Sequence, residues 1–367
     1  MKHICTKKPY TNNSNFIDSI FTEQTIFFDI ETTGFSASHS MLYLIGCMHR
    51  TCDTLIIEQF FAESKEDEQE LLLAFQKLLS SKNTLISFNG ITFDSPFLHT
   101  KCKNFGLKEF LRDYKHLDIL KTTKELKHLF RLPNYKQKTL EQFLGISRKD
   151  TFHGGELIPI YQEYLQTHDD SLEQLLLLHN FEDILGMLDL LPILTYREIL
   201  QGAFTLKELK LCDYVSYEGE TKKECLITLE NKYSVPKQIS VQNESYYITM
   251  YKETTKLRIP VLEEELRFFY PNYKDYFYLP KEDMAIHKSV AVFVDKEYRQ
   301  KAKAQNCYTR KKSLFLPQYD TLITPVFRKE YKDKCCYFEW NEEFENSMEL
   351  QICYVNHILH LHKKGVS

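Results

Sequence analysis

Apolar residues along the first 200 positions recur in short runs, which alternate between strand length and helical spacing. The run 25–28 leads into Asp-Ile-Glu and stops at Thr-Thr-Gly, so it predicts a strand with an acidic end. The runs 41–49 and 54–61 are joined by a short polar stretch, which predicts an antiparallel hairpin. Residues 64–79 combine helical periodicity with an acidic first turn and therefore predict a helix.

Two further apolar runs complete this half of the chain. Residues 84–88 and 116–120 predict a fourth and a fifth strand, and most of the sequence from there to residue 200 has helical character, including the Leu-rich segment 172–194. Three strands in succession, followed by alternating helices and strands, are typical of a mixed α/β sheet. The predicted fold class is therefore α/β, with a five-stranded mixed sheet.

The second half of the chain has a different pattern. Residues 225–261 contain short runs rich in Ile, Val, Tyr and Thr, separated by polar residues and proline, which predict small antiparallel strands. Residues 342–362 predict a closing helix. We therefore divide the chain into a polar leader 1–20, an α/β domain 21–205, a β-rich α+β accessory domain 206–341, and a C-terminal helix and tail 342–367.

Composition narrows the class of protein. The chain has 367 residues, of which 43% are hydrophobic and 27% charged, which is typical of a globular protein of about two domains. The N-terminus lacks the apolar segment of a secretory signal, and no apolar run approaches the roughly 20 residues of a membrane-spanning helix. The ten cysteines form no CxxC pair, which favours reduced thiols and predicts a cytoplasmic protein without membrane partners.

The first candidate motif lies at the end of the first predicted strand. Asp29 and Glu31 are two residues apart, so both carboxylates project from the same side of a strand. Two anions held side by side repel each other, and a divalent cation relieves that repulsion. Acidic pairs of this spacing are common at solvated strand ends, so the motif by itself is a weak signal.

The second motif follows the fourth predicted strand. This strand ends at Asn89-Gly90, and Asp94 stands just before Ser95-Pro96, where a helix is predicted to begin. In one interpretation Asp94 or Ser95 caps that helix. In the other, Asp94 belongs to a site at the end of the strands.

The third motif lies in the Leu-rich helix. His179 and Asp183 are four residues apart and share one face of an otherwise apolar helix. Polar groups that lose water in this way need partners. In one interpretation His179 is a buried core histidine whose hydrogen bonds are all made, and Asp183 is a capping residue. In the other, Asp183 binds a metal ion and His179 is the general base beside it. Glu182 is predicted to point into solvent.

The three motifs, in this order, resemble the DEDD superfamily of 3′→5′ exonucleases, and most closely the YprB-like exonucleases, which have a ribonuclease H-like fold. The resemblance covers about residues 25–200. The segments 116–118, His-Leu-Asp, and 138–145, Lys-Thr-Leu-Glu-Gln-Phe-Leu-Gly, also resemble this family. One position departs from its pattern: histidine-type members carry the histidine five residues before the last aspartate, whereas His179 has the four-residue spacing of the tyrosine-type members.

The resemblance implies a metal-dependent mechanism. Two Mg²⁺ or Mn²⁺ ions would hold the scissile phosphate, with oxygen ligands of the kind these ions prefer. Asp29 would bridge both ions, Glu31 and Asp183 would complete the first site, and Asp94 would support the second through water. His179 would accept a proton from the attacking water.

The resemblance also implies substrate contacts. Asn89, with Thr33 and Phe93, would bind the strand near its terminal nucleotide. Asp118 would either support the site from behind or cap the helix that follows it. The substrate would be a single strand or a 3′ end of DNA or RNA. The choice between DNA and RNA stays open, because it depends on how a pocket contacts the 2′-hydroxyl.

A basic run between residues 288 and 312 is the other candidate for nucleic-acid contact. It carries eight Lys and Arg residues against Asp295 and Glu297, with two tyrosines interleaved. Such a run is either a solvated surface or a phosphate-binding patch. The first half of the chain is net acidic, so we predict that the run assists binding through Lys301, Lys303, Lys311 and Lys312.

The predicted function is therefore a metal-dependent 3′→5′ exonuclease that hydrolyses phosphodiester bonds. The alternatives are a structure-specific endonuclease of the same fold, a non-catalytic nucleic-acid binding module, and a purely structural α/β protein. All four acidic positions are present, which argues against loss of catalysis. The sequence makes no prediction about protein partners.

Overall fold

The computed structural model describes residues 1–12, 14–150, 152, 154–243 and 245–364, with side chains up to residue 361. The chain divides into two compact units. The first comprises Met1–Glu198 and Val235–Lys237, and the second comprises Ile199–Ser234 and the residues from Gln238 onward. The predicted tail at 365–367 lies outside the described residues.

The first unit is built on one mixed sheet. Its strands are β1 (Lys2–Pro9), β2 (Thr25–Thr32), β3 (Leu42–Thr51), β4 (Thr54–Phe61), β5 (Thr84–Ser87) and β6 (Lys115–Asp118). Their order is β1-β4-β3-β2-β5-β6, with β2, β5 and β6 parallel and the other neighbours antiparallel. The α/β class, the mixed sheet and the hairpin of β3 and β4 are confirmed.

The sheet has one strand more than predicted. Residues 2–9, which we assigned to a polar leader, form β1 and pair with β4 along their whole length. Most of the β1 side chains are exposed, because the strand lies at the edge of the sheet and is held by backbone hydrogen bonds. The strand could not be predicted, because its polar sequence has no apolar pattern.

Helices cover the sheet, and the longest of them carries the third motif. They are α1 (Asn15–Ile20), α2 (Glu68–Leu79), α3 (Asp94–Asn104), α4 (Ile119–Lys124), α5 (Lys127–Phe130), α6 (Gln137–Leu144), α7 (Gly154–Thr167), α8 (Asp170–Leu190) and α9 (Thr195–Leu200). The core between helices and sheet includes Phe28, Leu72 and Phe75, all fully buried. Helix α8 packs against β2 and β3, so its polar face meets the acidic end of β2.

The second unit is rich in strands, as predicted. Its strands are β7 (Phe204–Val215), β8 (Thr221–Gln242), β9 (Tyr247–Pro260), β10 (Leu262–Phe269), β11 (Tyr276–Leu279), β12 (Met284–His287), β13 (Gln300–Lys301), β14 (Tyr308–Gln318) and β15 (Cys336–Glu339). They form three-stranded sheets in the orders β7-β8-β9, β10-β14-β15 and β12-β11-β13. Its helices are α10 (Lys288–Ala291), α11 (Glu342–Asn346) and α12 (Met348–Lys364).

Two strands of this unit are much longer than expected. The segment 225–261, read as several short strands, lies mostly in β8 and β9, because its polar residues alternate onto the exposed side instead of marking turns. All ten cysteines are free thiols. Among the described residues, no helix is long and apolar enough to span a membrane.

Candidate metal centre

The sheet topology explains why distant polar residues meet. Strands β2, β5 and β6 are parallel, so their carboxyl ends lie at the same edge of the sheet, where α/β proteins place their sites. Asp29 and Glu31 lie near the end of β2, Asn89 follows β5, and Asp118 ends β6. Helix α3, which follows β5, begins at Asp94.

Asp94 is tied to the strand that carries the other two acids. Its Oδ1 accepts a hydrogen bond of 3.2 Å from the backbone N–H of Ile30, which lies between Asp29 and Glu31. Asp94 is only 3% exposed, and burial raises its pKa to about 7, although the Ile30 N–H opposes the rise. The carboxyl group therefore belongs to the acidic end of β2, and the N-cap position of α3 is Phe93.

Asp29 is oriented by an asparagine that the sequence did not single out. Asn180, fully buried on α8, donates a hydrogen bond of 3.0 Å to Asp29 Oδ2, and its own Oδ1 accepts one of 3.0 Å from Gln59. A Cβ at Gly46 would lie 2.0 Å from the Asn180 Oδ1. Glycine at position 46 therefore makes room for the side chain that fixes Asp29.

His179 brings the remaining acids together. Its Nε2 lies 3.2 Å from Asp183 Oδ2 and 3.6 Å from Glu31 Oε1, while its Nδ1 is 2.7 Å from Asp150 Oδ2. Glu31, His179 and Asp183 each offer one ligand atom, and these atoms all lie within 4.8 Å of one another. The sequence analysis did not identify Asp150, because a single aspartate outside any motif carries no signal in the sequence.

The electrostatics of the cluster are those of crowded carboxylates. Burial raises the pKa of Asp29, and the charges of Glu31, Asp94 and Asp183 raise it further. Burial likewise raises the pKa of Glu31, with contributions from Asp183, Asp94 and Asp150. All four acids predicted as ligands therefore lie close enough to influence one another.

At two members of the cluster, the pKa shifts in the direction opposite to the effect of burial. Burial favours a raised pKa at Asp183, but the hydrogen bond and charge of His179 and the charge of Arg148 outweigh it, so its pKa is lowered. Burial favours a lowered pKa at His179, but Asp183 and Asp150 outweigh it, so its pKa is raised. His179 and Asp183 thus stabilise each other's charged forms inside the acidic cluster, and their contact is an ion pair when His179 is protonated.

A loop between α6 and α7 closes the site from the side. Arg148 forms an ion pair with Asp183, and its Nε lies 3.3 Å from Glu141 Oε2. Glu182 accepts hydrogen bonds from the backbone N–H groups of Lys149 and Asp150, the shortest being 2.7 Å. Glu182 is half-buried, and its carboxylate anchors this loop in addition to its contact with solvent.

The cluster lies in an open cleft of 1260 Å³. Asp29, His179 and Asp183 contribute acidic and imidazole groups to its wall. Basic and amide side chains from the α4 and α6 region line the rest, and Phe35 and Phe88 add apolar surface; the polar lining residues include Lys124, Asn134, Lys136, Lys138 and Arg148. The net acidity of this half of the chain therefore hides local positive charge beside the cluster.

Two of the predicted substrate-binding residues lie beside this cleft. Asn89 lines it, and its φ of 70° turns the chain sharply after β5. Phe93 packs edge-on against Phe35, with ring centroids 6.0 Å apart, and Phe35 itself is 91% exposed. The exposed aromatic ring at position 35 was not singled out from the sequence.

Thr33 and Asp118 have local structural contacts. The Thr33 hydroxyl accepts a hydrogen bond of 2.8 Å from the backbone N–H of Met41, which fixes the loop after β2. Asp118 is 3% exposed and accepts hydrogen bonds from the backbone N–H groups of Asn89, Ile91 and Lys121. Both roles considered for Asp118 have direct contacts: it caps α4 through the Lys121 N–H, and it holds the turn at Asn89 from behind.

The predicted basic run lies in the second unit, and part of it is neutralised. Lys311 pairs with Glu339 at 2.6 Å, Arg310 pairs with Glu265 at 3.1 Å, and Lys288 pairs with Asp275 at 3.3 Å. The other predicted contacts are exposed and have no ion pair among the described residues; they are Lys301, Lys303 and Lys312.

Comparison with known proteins supports the fold of the first unit. Residues 26–195 match the family model RNase_H_2, described as RNase_H superfamily. This match and the mixed sheet with its helices define an RNase H-like domain. The sequence matches no curated protein.

Several solved structures match part of this chain at low sequence identity. The family B DNA polymerase from the hyperthermophilic archaeon Pyrobaculum calidifontis is 16% identical, with a TM-score of 0.39, over 48% of this chain and 26% of the polymerase chain. Exonuclease I of E. coli in complex with a dT13 oligonucleotide is 12% identical, with a TM-score of 0.32, over 56% of this chain and 55% of that chain. The chain thus spans about a quarter of the polymerase and about half of the exonuclease.

Proposed function

We propose that this protein is a metal-dependent 3′→5′ exonuclease that hydrolyses phosphodiester bonds of DNA or RNA. The observation that carries the proposal is the meeting of Glu31, His179 and Asp183 within 4.8 Å, beside an open cleft that His179 and Asp183 line. Asp29 and Asp94 are coupled electrostatically to the same cluster. An RNase H-like domain is a suitable scaffold for this activity, and the 3′→5′ direction and the YprB-like assignment rest on the motif resemblance.

The residues present fit a divalent cation. Carboxylate oxygens are the ligands that Mg²⁺ and Mn²⁺ prefer, and imidazole is a further ligand for Mn²⁺. The crowding that raises the pKa of Asp29 and Glu31 is relieved when positive charge is added beside them. We assign Asp29, Glu31, Asp94 and Asp183 as ligands for two ions.

The bound ions would polarise the phosphate and help to generate the nucleophile from water. The protein supplies the positioning: Asn180 fixes the orientation of Asp29, and the Ile30 N–H fixes that of Asp94. His179 is held between Asp150 and Asp183, so its ring is oriented towards the cluster. We assign His179 as the group that accepts the proton of the attacking water.

The cleft gives the substrate a path to the cluster. Lys124 and Lys136 are exposed positive charges beside it, suited to backbone phosphates. Asn89, Phe93 and the exposed ring of Phe35 lie near the same opening and could contact or stack on a terminal nucleotide. We propose a single strand or a 3′ end as the substrate, and a cytoplasmic location as indicated by the sequence.

The experiment is incubation of the full chain with end-labelled single- and double-stranded DNA and RNA, in Mg²⁺, Mn²⁺ or EDTA. We expect stepwise shortening from the 3′ end with either ion and none in EDTA. Internal cuts would indicate an endonuclease instead. Binding without any cleavage under all conditions would indicate a non-catalytic binding module and would contradict the proposal.

A further inference from the structure

The Arg148 side chain is a cation packed against the acidic cluster. It is only 9% exposed, forms an ion pair with Asp183 and lies 3.3 Å from Glu141. Its Nη1 atom is buried and has no hydrogen-bond partner among the described residues. A guanidinium presents five donors, and a buried donor without a partner is unfavourable, so this side chain has unused binding capacity beside the cleft.

Asp183 contacts the guanidinium of Arg148 and the imidazole of His179. Its Oδ1 accepts a hydrogen bond from Arg148, and its Oδ2 lies 3.2 Å from His179. A metal ion at Asp183 would add positive charge next to the guanidinium, and the two cations would repel each other. The ion pair of Asp183 with Arg148 and the binding of a metal ion to Asp183 therefore weaken each other.

The loop around Arg148 is held by contacts that do not involve Asp183. Glu182 fixes the backbone at Lys149 and Asp150, and Glu141 stays beside the Nε atom. Glu141 can occupy this place because α8 has glycine at position 186, where a Cβ would lie 2.1 Å from its Oε1. The Nε side of the guanidinium is thus held beside Glu141, and Arg148 is one of the residues that line the cleft.

We propose that Arg148 is a phosphate-binding residue of the cleft, and that it competes with the metal ion for Asp183. The fork of an arginine matches the oxygens of a phosphate and binds them through two parallel hydrogen bonds. When the ion takes Asp183, a phosphate of the nucleic-acid strand replaces that carboxylate as the partner of Arg148. This inference rests on the proposed function, because it places a nucleic-acid strand in the cleft.

The test uses two equilibrium titrations of the full chain that require no turnover. The first measures Mn²⁺ binding alone, and the second measures thymidine 5′-monophosphate binding at saturating Mn²⁺. In Arg148→Gln we expect Mn²⁺ to bind about three- to tenfold more tightly, because its competitor is gone. We expect the nucleotide to bind at least about tenfold more weakly, because a charged hydrogen-bond donor is lost.

The matched control is Lys149→Gln, which removes the same charge from the adjacent exposed position and should change neither affinity by more than about twofold. Arg148→Lys, which preserves the charge, should keep Mn²⁺ affinity near that of the wild type but bind the nucleotide several-fold more weakly, because lysine lacks the fork. This second variant keeps the test valid if Arg148→Gln lowers the melting temperature severely.

Wild-type nucleotide affinity in both Arg148 variants would overturn the inference. Weaker binding of Mn²⁺ and of the nucleotide in parallel would also overturn it, because that is the result of a purely structural clamp. Asp183→Asn separates this failure from failure of the proposed function. If Asp183→Asn retains Mn²⁺ binding, the proposed metal site is wrong; if it loses Mn²⁺ binding while Arg148→Gln changes nothing, only the role of Arg148 is wrong.

Discussion

Asp94→Asn should stabilise the metal-free protein at alkaline pH, although it removes a side chain of the proposed site. The carboxyl of Asp94 is 3% exposed, and its pKa is about 7 instead of the ordinary 3.8. A rise of this size corresponds to about 4 kcal/mol against the charged form in the folded state. Asparagine has no charge to bury and keeps an oxygen that can accept the Ile30 N–H.

The sign of the pH dependence follows from the raised pKa. Between the unfolded and folded pKa values the folded state binds more protons, so stability falls as the pH rises from about 4 to about 7. At pH 8 the whole penalty of about 4 kcal/mol is present. The hydrogen bond from Ile30 loses its charged acceptor in the variant, which costs about 1 kcal/mol. The net stabilisation is therefore about 3 kcal/mol at about pH 8 and less than about 1 kcal/mol at about pH 5.

The assay is urea unfolding in EDTA, followed by far-ultraviolet circular dichroism, at these two pH values. Mg²⁺ at about a thousand times its Kd should reverse the order at pH 8, because a cation that binds only the folded wild type then adds about 4.1 kcal/mol, which exceeds the advantage of the variant. Asp118→Asn is the control: Asp118 is equally buried but accepts three backbone hydrogen bonds, so this variant should be destabilised. The reasoning would be refuted if the free energy of unfolding in EDTA at pH 8 were lower for Asp94→Asn than for the wild type. It would also be refuted if the difference between the two proteins did not change with pH.

Three further predictions concern the orientation of the site and the binding of substrate. His179→Ala should lower the hydrolysis rate by about 10²- to 10⁴-fold and recover partly at higher pH, where hydroxide is available; a wild-type pH–rate profile would make His179 a core residue only. Gly46→Ala should place a methyl group against Asn180, lower the free energy of unfolding by about 1–3 kcal/mol in urea titrations and reduce activity; unchanged activity would mean that Asn180 does not position Asp29. Charge reversal of the lysines without an ion pair among the described residues should weaken nucleic-acid binding and flatten the log–log dependence of affinity on salt, measured by fluorescence anisotropy. Reversal of Lys311, which pairs with Glu339, should have a smaller effect. Equal effects in both cases, or no effect, would assign the run to ordinary surface. The lysines without an ion pair among the described residues are Lys301, Lys303 and Lys312.

The sequence predicted the parts of the fold whose apolar pattern is strong. Strand β2, the hairpin of β3 and β4, and helix α8 all follow from apolar runs that become buried, and the carboxylates at their ends follow with them. Strand β1 escaped, because an edge strand is stabilised by backbone pairing with β4 more than by burial of its own side chains. The long strands β8 and β9 were divided for the same reason, since exposed polar residues on a strand resemble turn residues.

The supporting residues of the site could not be predicted from the sequence. Asn180, Asp150 and Arg148 act through contacts with residues 29 to 151 positions away, and no local pattern specifies such contacts. Their signal is geometric: a glycine at position 46 that leaves space for an amide, and a loop held by Glu182. The carboxylates are specified by the strand ends, whereas their orientation is specified by tertiary packing.

The most direct test of the central claim is hydrolysis of an end-labelled single strand by Asp29→Asn in saturating Mg²⁺. Asparagine is nearly isosteric with aspartate and can still contact Asn180, so the fold and the affinity for nucleic acid should be retained. The charge that binds the metal ions is lost. The account predicts cleavage by the wild type, and binding with unchanged Kd but no cleavage by Asp29→Asn; full activity of the variant would contradict it.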